Sequence, residues 1–363
     1  MMAATQPHQG HVRALAGRLC TEVDRMVQRR LKGLEFLGSP GPAMGKTPRT
    51  LLHRRGTLGL YRYHPTCQDV YRVPLLLVMA PTNKAYIFDL AERQSLIEFL
   101  LDRGYDVYVM DWNAPTQAER TLRVEDYVLD FIPDCMARVQ ADAGVDQVTL
   151  AGYCMGGVLS TLYAALHVDG PLKNLLCFTT PVDWSQMSWS RGIANQRFFE
   201  IDKLVDTVGI IPGEMIMAAI DLQRPASRIA GQLRLWDNMW NDAYVRHHRM
   251  MVGWGNDHLP LAGEYYRQVI KELMWNNSLH EGSLHIAGRK IDLANIKVPL
   301  LHVIAEHDSL VPPACARPLV AMVGSSDKQE LVLPGGHVSL VAGPAAKKRM
   351  WPALDKWLGQ RSL

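Results

Sequence analysis

The chain lacks any strong excess of charge: 39 lysines and arginines face 36 aspartates and glutamates, for a net charge of +3. So even a balance gives no electrostatic reason to expect nucleic acid as a partner. Cysteine is sparse and scattered. Cys20, Cys67, Cys135, Cys154, Cys177 and Cys315 form no C-x-x-C pair, which speaks against a zinc site and against a disulfide framework. No apolar run reaches the roughly 18 residues of a membrane span, and Met1 to Gly10 hold no stretch of signal-peptide length. The expectation is a reduced, cytoplasmic setting with no metal. Internal repeats and low-complexity tracts are also missing.

What is present is an ordinary globular composition, 48% hydrophobic and 21% charged. At 363 residues the chain exceeds the usual size of one core, so a large domain carrying an inserted subdomain is expected. Seventeen methionines and nine tryptophans are a rich supply of soft and amphipathic side chains. Core filling is the plain account of them; a lipid-like surface is the other.

The stretch around which the chain is organised is Gly152-Tyr153-Cys154-Met155-Gly156-Gly157. An apolar β-type run, Gln147 to Ala151, precedes it, and a helical segment, Val158 to His167, follows. Strand, Gly-x-Cys-x-Gly turn and helix is the layout of a nucleophile elbow, with cysteine where serine is usual. The small flanking residues let strand and helix pass closely, and the helix N-terminus points free N–H groups and positive dipole at the sulfur. That arrangement lowers a thiol pKa and supplies half of an oxyanion hole. The competing account is a small buried hydrophobe, the common fate of free cysteine.

Along the chain, an amphipathic helix is predicted over Val12 to Lys32 and is stopped by Gly38-Ser39-Pro40-Gly41-Pro42. Leu51 to Tyr63 reads as an antiparallel edge hairpin. Continuous apolar runs then follow at Pro74–Met79, Asp106–Met110, the strand before Cys154, and Leu175–Thr179, with helical stretches between them. This is the rhythm of a doubly wound, mostly parallel sheet, whose chemistry gathers at the carboxyl ends of the strands. The rhythm stops from about Trp184 to Arg289, in a segment rich in Met, Trp, His and Asn, and resumes at Val298. The expected organisation is a tail and helix over 1–45, a first core segment over 46–183, a mainly helical cap over 184–290, and a second core segment over 291–363.

Two residues stand where an elbow nucleophile needs them. Asp308 lies just past the strand that ends near Ile304, and His337 follows the last strand in Pro334-Gly335-Gly336-His337. Nucleophile, acid, histidine is the chain order of α/β-hydrolases. The histidine takes the thiol proton, and the acid fixes the imidazole's tautomer and charge. Taken singly, Asp308 is equally a turn or N-cap residue, and His337 a loop histidine held by a carbonyl. Glu306 competes with Asp308 as the acid. The N–H of Met155 is expected to form one arm of the oxyanion hole. The other arm is expected in the loop after the Pro74–Met79 strand, from Thr82 first and Asn83 next, since Pro81 has no N–H.

With those residues in place the chain resembles the polyhydroxyalkanoate synthases, members of the α/β-hydrolase superfamily. It looks most like the short catalytic subunits of the two-component enzymes, class III first and class IV second. The resemblance rests on the 152–157 motif, Asn83-Lys84 with Asp89-Leu90, Met110-Asp111-Trp112, Thr179 to Asp183, Ala305 to Pro312, and Leu333 to Ser339. It implies an acyltransferase that polymerises (R)-3-hydroxyacyl-CoA, 3-hydroxybutyryl-CoA first, into polyester and releases coenzyme A. Cys154 would carry the chain as a thioester, His337 would serve as base, and Asp308 would help activate the incoming 3-hydroxyl. No cofactor is implied, because coenzyme A belongs to the substrate. A second, separately encoded subunit is implied, as are a homodimer or hetero-oligomer and a place at the surface of polyester granules. A cysteine-nucleophile hydrolase (a thioesterase, dienelactone hydrolase or polyester depolymerase) is the alternative enzyme. An inert coat protein of an inclusion is the non-enzymatic one, and an ordered triad disfavours it.

Overall fold

Eight strands form one sheet in the order β1-β2-β4-β3-β5-β6-β7-β8 in the computed structural model of the chain, which describes residues 8–38, 41–187, 192, 194–222 and 225–363. The strands are β1 (Arg49–Arg55), β2 (Leu58–Tyr63), β3 (Leu75–Val78), β4 (Val107–Trp112), β5 (Val148–Tyr153), β6 (Leu172–Phe178), β7 (Leu300–Ala305) and β8 (Lys328–Leu333). Only the leading hairpin, β1 with β2, and the β2–β4 pairing run antiparallel; every pairing from β4 to β8 is parallel. Strands β3, β4, β5 and β7 are buried along their whole length. That is why their sequences run continuously apolar instead of alternating: both faces are covered. β5 sits in the middle of the sheet between β3 and β6, so its carboxyl end is flanked by the ends of two other strands.

The helices between the strands include α2 (Leu96–Leu101), α3 (Ile132–Ala143) and α4 (Met155–Leu166). The helix read over Val124–Gln140 is interrupted by a π-turn at Tyr127–Phe131, just ahead of Pro133, whose ring cannot accommodate a regular preceding turn. A second π-turn, Val269–Trp275, continues the helix Gly263–Gln268. Between Trp184 and Lys290 the described secondary structure is mostly helical, with two short two-stranded ribbons.

The chain divides into two compact units, Met1–Pro42 with Arg224–Gly253, and Ala43–Gln223 with Trp254–Leu363. In the first, helix α1 (His8–Gly38) runs longer at both ends than the Val12–Lys32 expected from periodicity, since no strong breaker interrupts it before Gly38. Ser39 and Pro40 of the expected stop, and the first seven residues of the expected polar tail, lie outside the described residues. On α1, Leu19, Val23, Met26, Leu31 and Leu34 are each more than half exposed. Among the described residues no helix is long and apolar enough to cross a membrane.

One core residue carries a pH signature. His302, in the middle of β7, is completely buried, and neither ring nitrogen has a hydrogen-bond partner among the described residues. Burial penalises the imidazolium and pushes its pKa down to about 3. The unfolded chain takes up this proton near pH 6.5 and the folded chain does not, so this residue makes stability fall as pH drops from about 6.5 towards 3. Comparing urea unfolding at pH 7 and pH 4.5, His302→Leu should shrink the acid loss of stability by on the order of 2–3 kcal/mol. An unchanged loss would show that His302 is protonated in the fold.

Candidate active site

At Cys154 the backbone turns through φ 55° and ψ −121°, a region L-residues rarely occupy. Two sets of contacts hold it there. The Cys154 N–H donates to the Phe178 carbonyl at 2.9 Å, and the Cys154 carbonyl accepts from Gly157 and Val158 at 2.9 and 3.2 Å. The glycines then remove every obstacle to the turn. A Cβ on Gly156 would lie 2.1 Å from the Val78 oxygen, and one on Gly152 would lie 2.4 Å from the Gly156 oxygen. One on Gly157 would meet the Thr180 hydroxyl at 1.9 Å, which gives the Thr179-Thr180-Pro181 motif a packing role against the elbow. Helix α4 starts at Met155, directly after the cysteine and three residues earlier than its apolar pattern indicates. Its first N–H groups therefore have no partner in a preceding turn.

Asp308 and His337 arrive from the ends of β7 and β8. The Asp308 Oδ1 accepts the backbone N–H groups of Leu310 and Val311 at 2.9 and 2.8 Å, so the loop wraps around the carboxylate. Its Oδ2 lies 2.7 Å from His337 Nδ1. The His337 loop is closed by the Gly336 N–H, which donates to the Ser339 hydroxyl at 2.8 Å, and it is reached through Gly335 at φ 149°. Cys154 and His337 border the same cavity, and the imidazole in turn meets the Asp308 carboxylate. Burial alone would pull the imidazolium down. The nearby Cys154 sulfur first, and the Asp308 carboxylate that accepts from Nδ1, outweigh it, and the His337 pKa is pushed up to about 10. Glu306, the competing acid, is exposed and faces His307 at 3.9 Å.

The other expected residues fall as follows. Thr82 and Asn83 both border the site. The Asn83 N–H donates to the Ala80 carbonyl at 3.2 Å, and its amide nitrogen lies 3.4 Å from His258 Nδ1. Lys84 and Asp111 lock the loop onto β4: Asp111 Oδ1 accepts from the Ala85 and Trp112 N–H groups at 2.9 and 3.1 Å, and Lys84 Nζ lies 3.4 Å from Asp111 Oδ2. Asp183 holds the chain just past β6 through Ser185 and the Asn277 amide. Among the described residues no cluster of histidine, cysteine and carboxylate could hold a metal ion.

A cavity of about 310 Å³ opens over the elbow. Cys154, Met155, His337 and Thr82 border it together with Trp184, Met187, Ile216, Tyr265 and Met274. Three of its lining residues were not among the expected site residues. Tyr153, next to the cysteine, is fully buried with its hydroxyl donating to the His337 carbonyl at 3.2 Å and its ring 5.1 Å from the imidazole. Its place inside the elbow motif was the available signal. Trp184 directly follows the Thr179–Asp183 motif without being part of it, and Tyr265 comes from a segment with no local motif.

Two family models match the chain. One, described as the N-terminus of poly-beta-hydroxybutyrate polymerase (PhaC), matches residues 37–100, and the α/β-hydrolase fold model matches residues 88–344. The poly(3-hydroxyalkanoate) polymerase subunit PhaC of Allochromatium vinosum is 36% identical over 340 residues, which is 91% of this chain and 94% of that one. The chain belongs to the PhaC polymerase family. Its similarity to the PhaC subunit of Thiocystis violacea is 35% over the same shares, and to that of Haloferax mediterranei 30% over 88% of this chain and 65% of the other. The resemblance carried by the elbow and the two C-terminal loops thus extends over nearly the whole chain. Among solved structures, a soluble variant of monoglyceride lipase from Saccharomyces cerevisiae superposes with a TM-score of 0.56 at 14% identity, covering 90% of this chain and all of that one. A monoacylglycerol lipase from Paleococcus ferrophilus gives 0.51 at 16% identity, covering 84% and 99%. At such identities they establish the α/β-hydrolase fold of this PhaC chain and nothing of its chemistry.

Two outcomes follow from the geometry. Gly156→Ala should cost about 2–4 kcal/mol in thermal unfolding, because its methyl meets backbone and not a yielding side chain. In Cys154→Ala the His337 pKa should fall from about 10 towards ordinary histidine values, since the sulfur that raises it is gone. NMR titration of the labelled imidazole reads it; an unmoved pKa would leave Asp308 as the sole cause.

Proposed function

We propose that this PhaC family member polymerises (R)-3-hydroxyacyl-CoA into polyester through a thioester on Cys154. The observation that carries the reading is that Cys154 and His337, the latter 2.7 Å from the Asp308 carboxylate, border one mostly apolar cavity. In the proposed cycle His337 takes the Cys154 proton and the sulfur attacks the acyl-CoA carbonyl. The C–S bond to coenzyme A breaks, and the coenzyme A sulfur leaves with the proton that His337 held. The 3-hydroxyl of an acyl group then attacks the carbonyl of a neighbouring thioester and His337 takes that hydroxyl proton; the C–S bond of that thioester breaks, and its sulfur leaves with the proton. The Asp308 carboxylate, anchored by two N–H groups and bonded to Nδ1, keeps Nε2 available for both transfers. We assign the oxyanion hole to the N–H groups of Met155 and Thr82. The Asn83 N–H is already spent on Ala80, which favours Thr82 for the second arm.

Thioesters exchange readily because either sulfur leaves easily, so chain growth is set by which nucleophile reaches the acyl carbon. The methionines, tryptophan and isoleucine around the cysteine favour a hydroxyl delivered on a bound acyl chain over bulk water. No cofactor enters this cycle beyond the coenzyme A of the substrate. The same reading includes a separate second subunit of the class III kind, a short-chain 3-hydroxyacyl preference, and work at the surface of a cytoplasmic polyester granule.

The test supplies 3-hydroxybutyryl-CoA to the purified chain, with and without a co-expressed candidate subunit, and follows coenzyme A release and polymer together. Coenzyme A with polymer is expected. Free 3-hydroxybutyrate without polymer would instead identify a thioesterase and sink the proposal. Cys154→Ala should abolish both products, and Asp308→Asn should slow release by about 10²–10⁴-fold while leaving the fold intact.

A further inference from the structure

The wall of the Cys154 cavity satisfies most of its own polar groups. Asn83 faces His258, the Trp254 indole N–H donates to the Lys84 carbonyl at 2.8 Å, and the Tyr153 hydroxyl donates to the His337 carbonyl. Two groups of the wall are different. The Tyr265 hydroxyl and the Trp184 indole N–H are both out of solvent's reach, and neither has a hydrogen-bond partner among the described residues. Enclosed polar groups without partners are rare in folded proteins, and each needs an explanation. An indole N–H can only donate, and a phenol donates readily, so what both lack is an oxygen acceptor.

The Tyr265 side chain is also held in place. Its ring packs 4.8 Å from Tyr127, which lies in the Tyr127–Phe131 π-turn. Its helix begins at Gly263, whose N–H donates to the Gly209 carbonyl at 2.9 Å and where a Cβ would stand 2.4 Å from that same oxygen. A second π-turn, Val269–Trp275, follows directly. Irregular turns of this kind collect at functional sites, where they aim a side chain that a regular helix would turn away. A phenol pinned on both sides and left without a partner, beside an apolar cavity and a reactive cysteine, suits a ligand that brings its own oxygen.

Building on the Cys154 reading above, we propose that Tyr265 is a specificity-determining residue whose hydroxyl donates a hydrogen bond to the 3-oxygen of the acyl group carried on Cys154. The Trp184 N–H is the second unsatisfied donor of the same wall. Burial, with Tyr127 and the Cys154 sulfur nearby, holds the Tyr265 pKa well above that of a free phenol, so the group keeps its proton and remains a donor. The consequence is chemical selection. An acyl thioester bearing oxygen at carbon 3 satisfies the donor, whereas a plain acyl thioester of equal length leaves it unpaired in an apolar wall. Sites built to bond a substrate hydroxyl reject the analogue that lacks it far better than apolar pockets reject a missing methylene.

The experiment measures single-turnover release of coenzyme A from 3-hydroxybutyryl-CoA and from butyryl-CoA, by the full chain and by Tyr265→Phe. For the natural chain kcat/KM should favour the hydroxylated substrate by tenfold or more. Tyr265→Phe should lose about tenfold on 3-hydroxybutyryl-CoA and less than twofold on butyryl-CoA. Its melting temperature should be unchanged or higher, because the hydroxyl removed had no partner in the free protein. An equal loss on both substrates, an undiminished preference, or a clearly lowered melting temperature would each overturn the proposal. Failure of the natural chain to release coenzyme A from either substrate would count against the Cys154 reading itself, which the two-substrate comparison keeps separate.

Discussion

The contact on which the rest of the site depends is the approach of helix α4 to strand β3, where Gly156 lies so close to the Val78 carbonyl that even a methyl group would collide with it. Because the helix can come that near, the chain can reverse from β5 into α4 within one residue. That residue is forced to a positive φ, and it is Cys154. A side chain on such a turn cannot fold back against its own helix or strand, so the sulfur is presented at the carboxyl edge of the sheet. The strain is held by neighbours: Phe178 from β6 takes the Cys154 N–H, and Thr180 fills the notch left by Gly157. Three strands, β3, β5 and β6, therefore cooperate to fix one atom.

The parallel sheet then does the remaining assembly. Since β5, β6 and β7 all point the same way, the loops that follow them open on one edge, and β8 adds its loop to that edge. Asp308 and His337 need only short turns to reach Cys154, and those turns are themselves bonded. Two N–H groups wrap the Asp308 carboxylate, Ser339 closes the His337 loop, and the Tyr153 hydroxyl holds the His337 carbonyl from below. Tyr153 thus links the elbow to the histidine loop through a buried hydrogen bond.

Much of this was readable before any coordinates, for a physical reason. Glycine spacing, buried apolar runs and the residue just past each run are local signals, and parallel topology converts them into spatial proximity. Cys154, Asp308 and His337 follow from those three facts together. Glu306 was separable from Asp308 only once the turn was seen, because adjacent loop residues share every local signal and differ in direction alone. What escaped is equally instructive. Tyr265 and Trp184 lie in stretches whose helices are short or broken by π-turns, so periodicity assigns them no face. Their proposed role rests on hydrogen bonds not made among the described residues, which no sequence pattern encodes. The extent of α1 beyond Lys32 escaped because apolar periodicity marks a packed face, and most of that helix's leucines and valines stay exposed.

The proposed thioester on Cys154 would face a choice between acceptors, and the physics of the cavity bears on it. Water is small and abundant, so an esterase needs only to let it in. A polymerase of this family must make a hydroxyl on a bulky chain the better nucleophile. Excluding water by apolar side chains raises the strength of every remaining electrostatic contact, including the His337–Asp308 pair, but it also strips an incoming hydroxyl of its solvent. An apolar wall alone would therefore repel the acceptor as well as water. A wall that is apolar except for a few fixed, unsatisfied donors resolves the conflict: it offers the oxygen of a bound chain a partner that a transient water would have to displace apolar contacts to reach. On the proposed reading the unpaired hydroxyl and indole of the cavity complement the elbow: the elbow fixes the acyl carbon, and they meet the oxygen three bonds away from it.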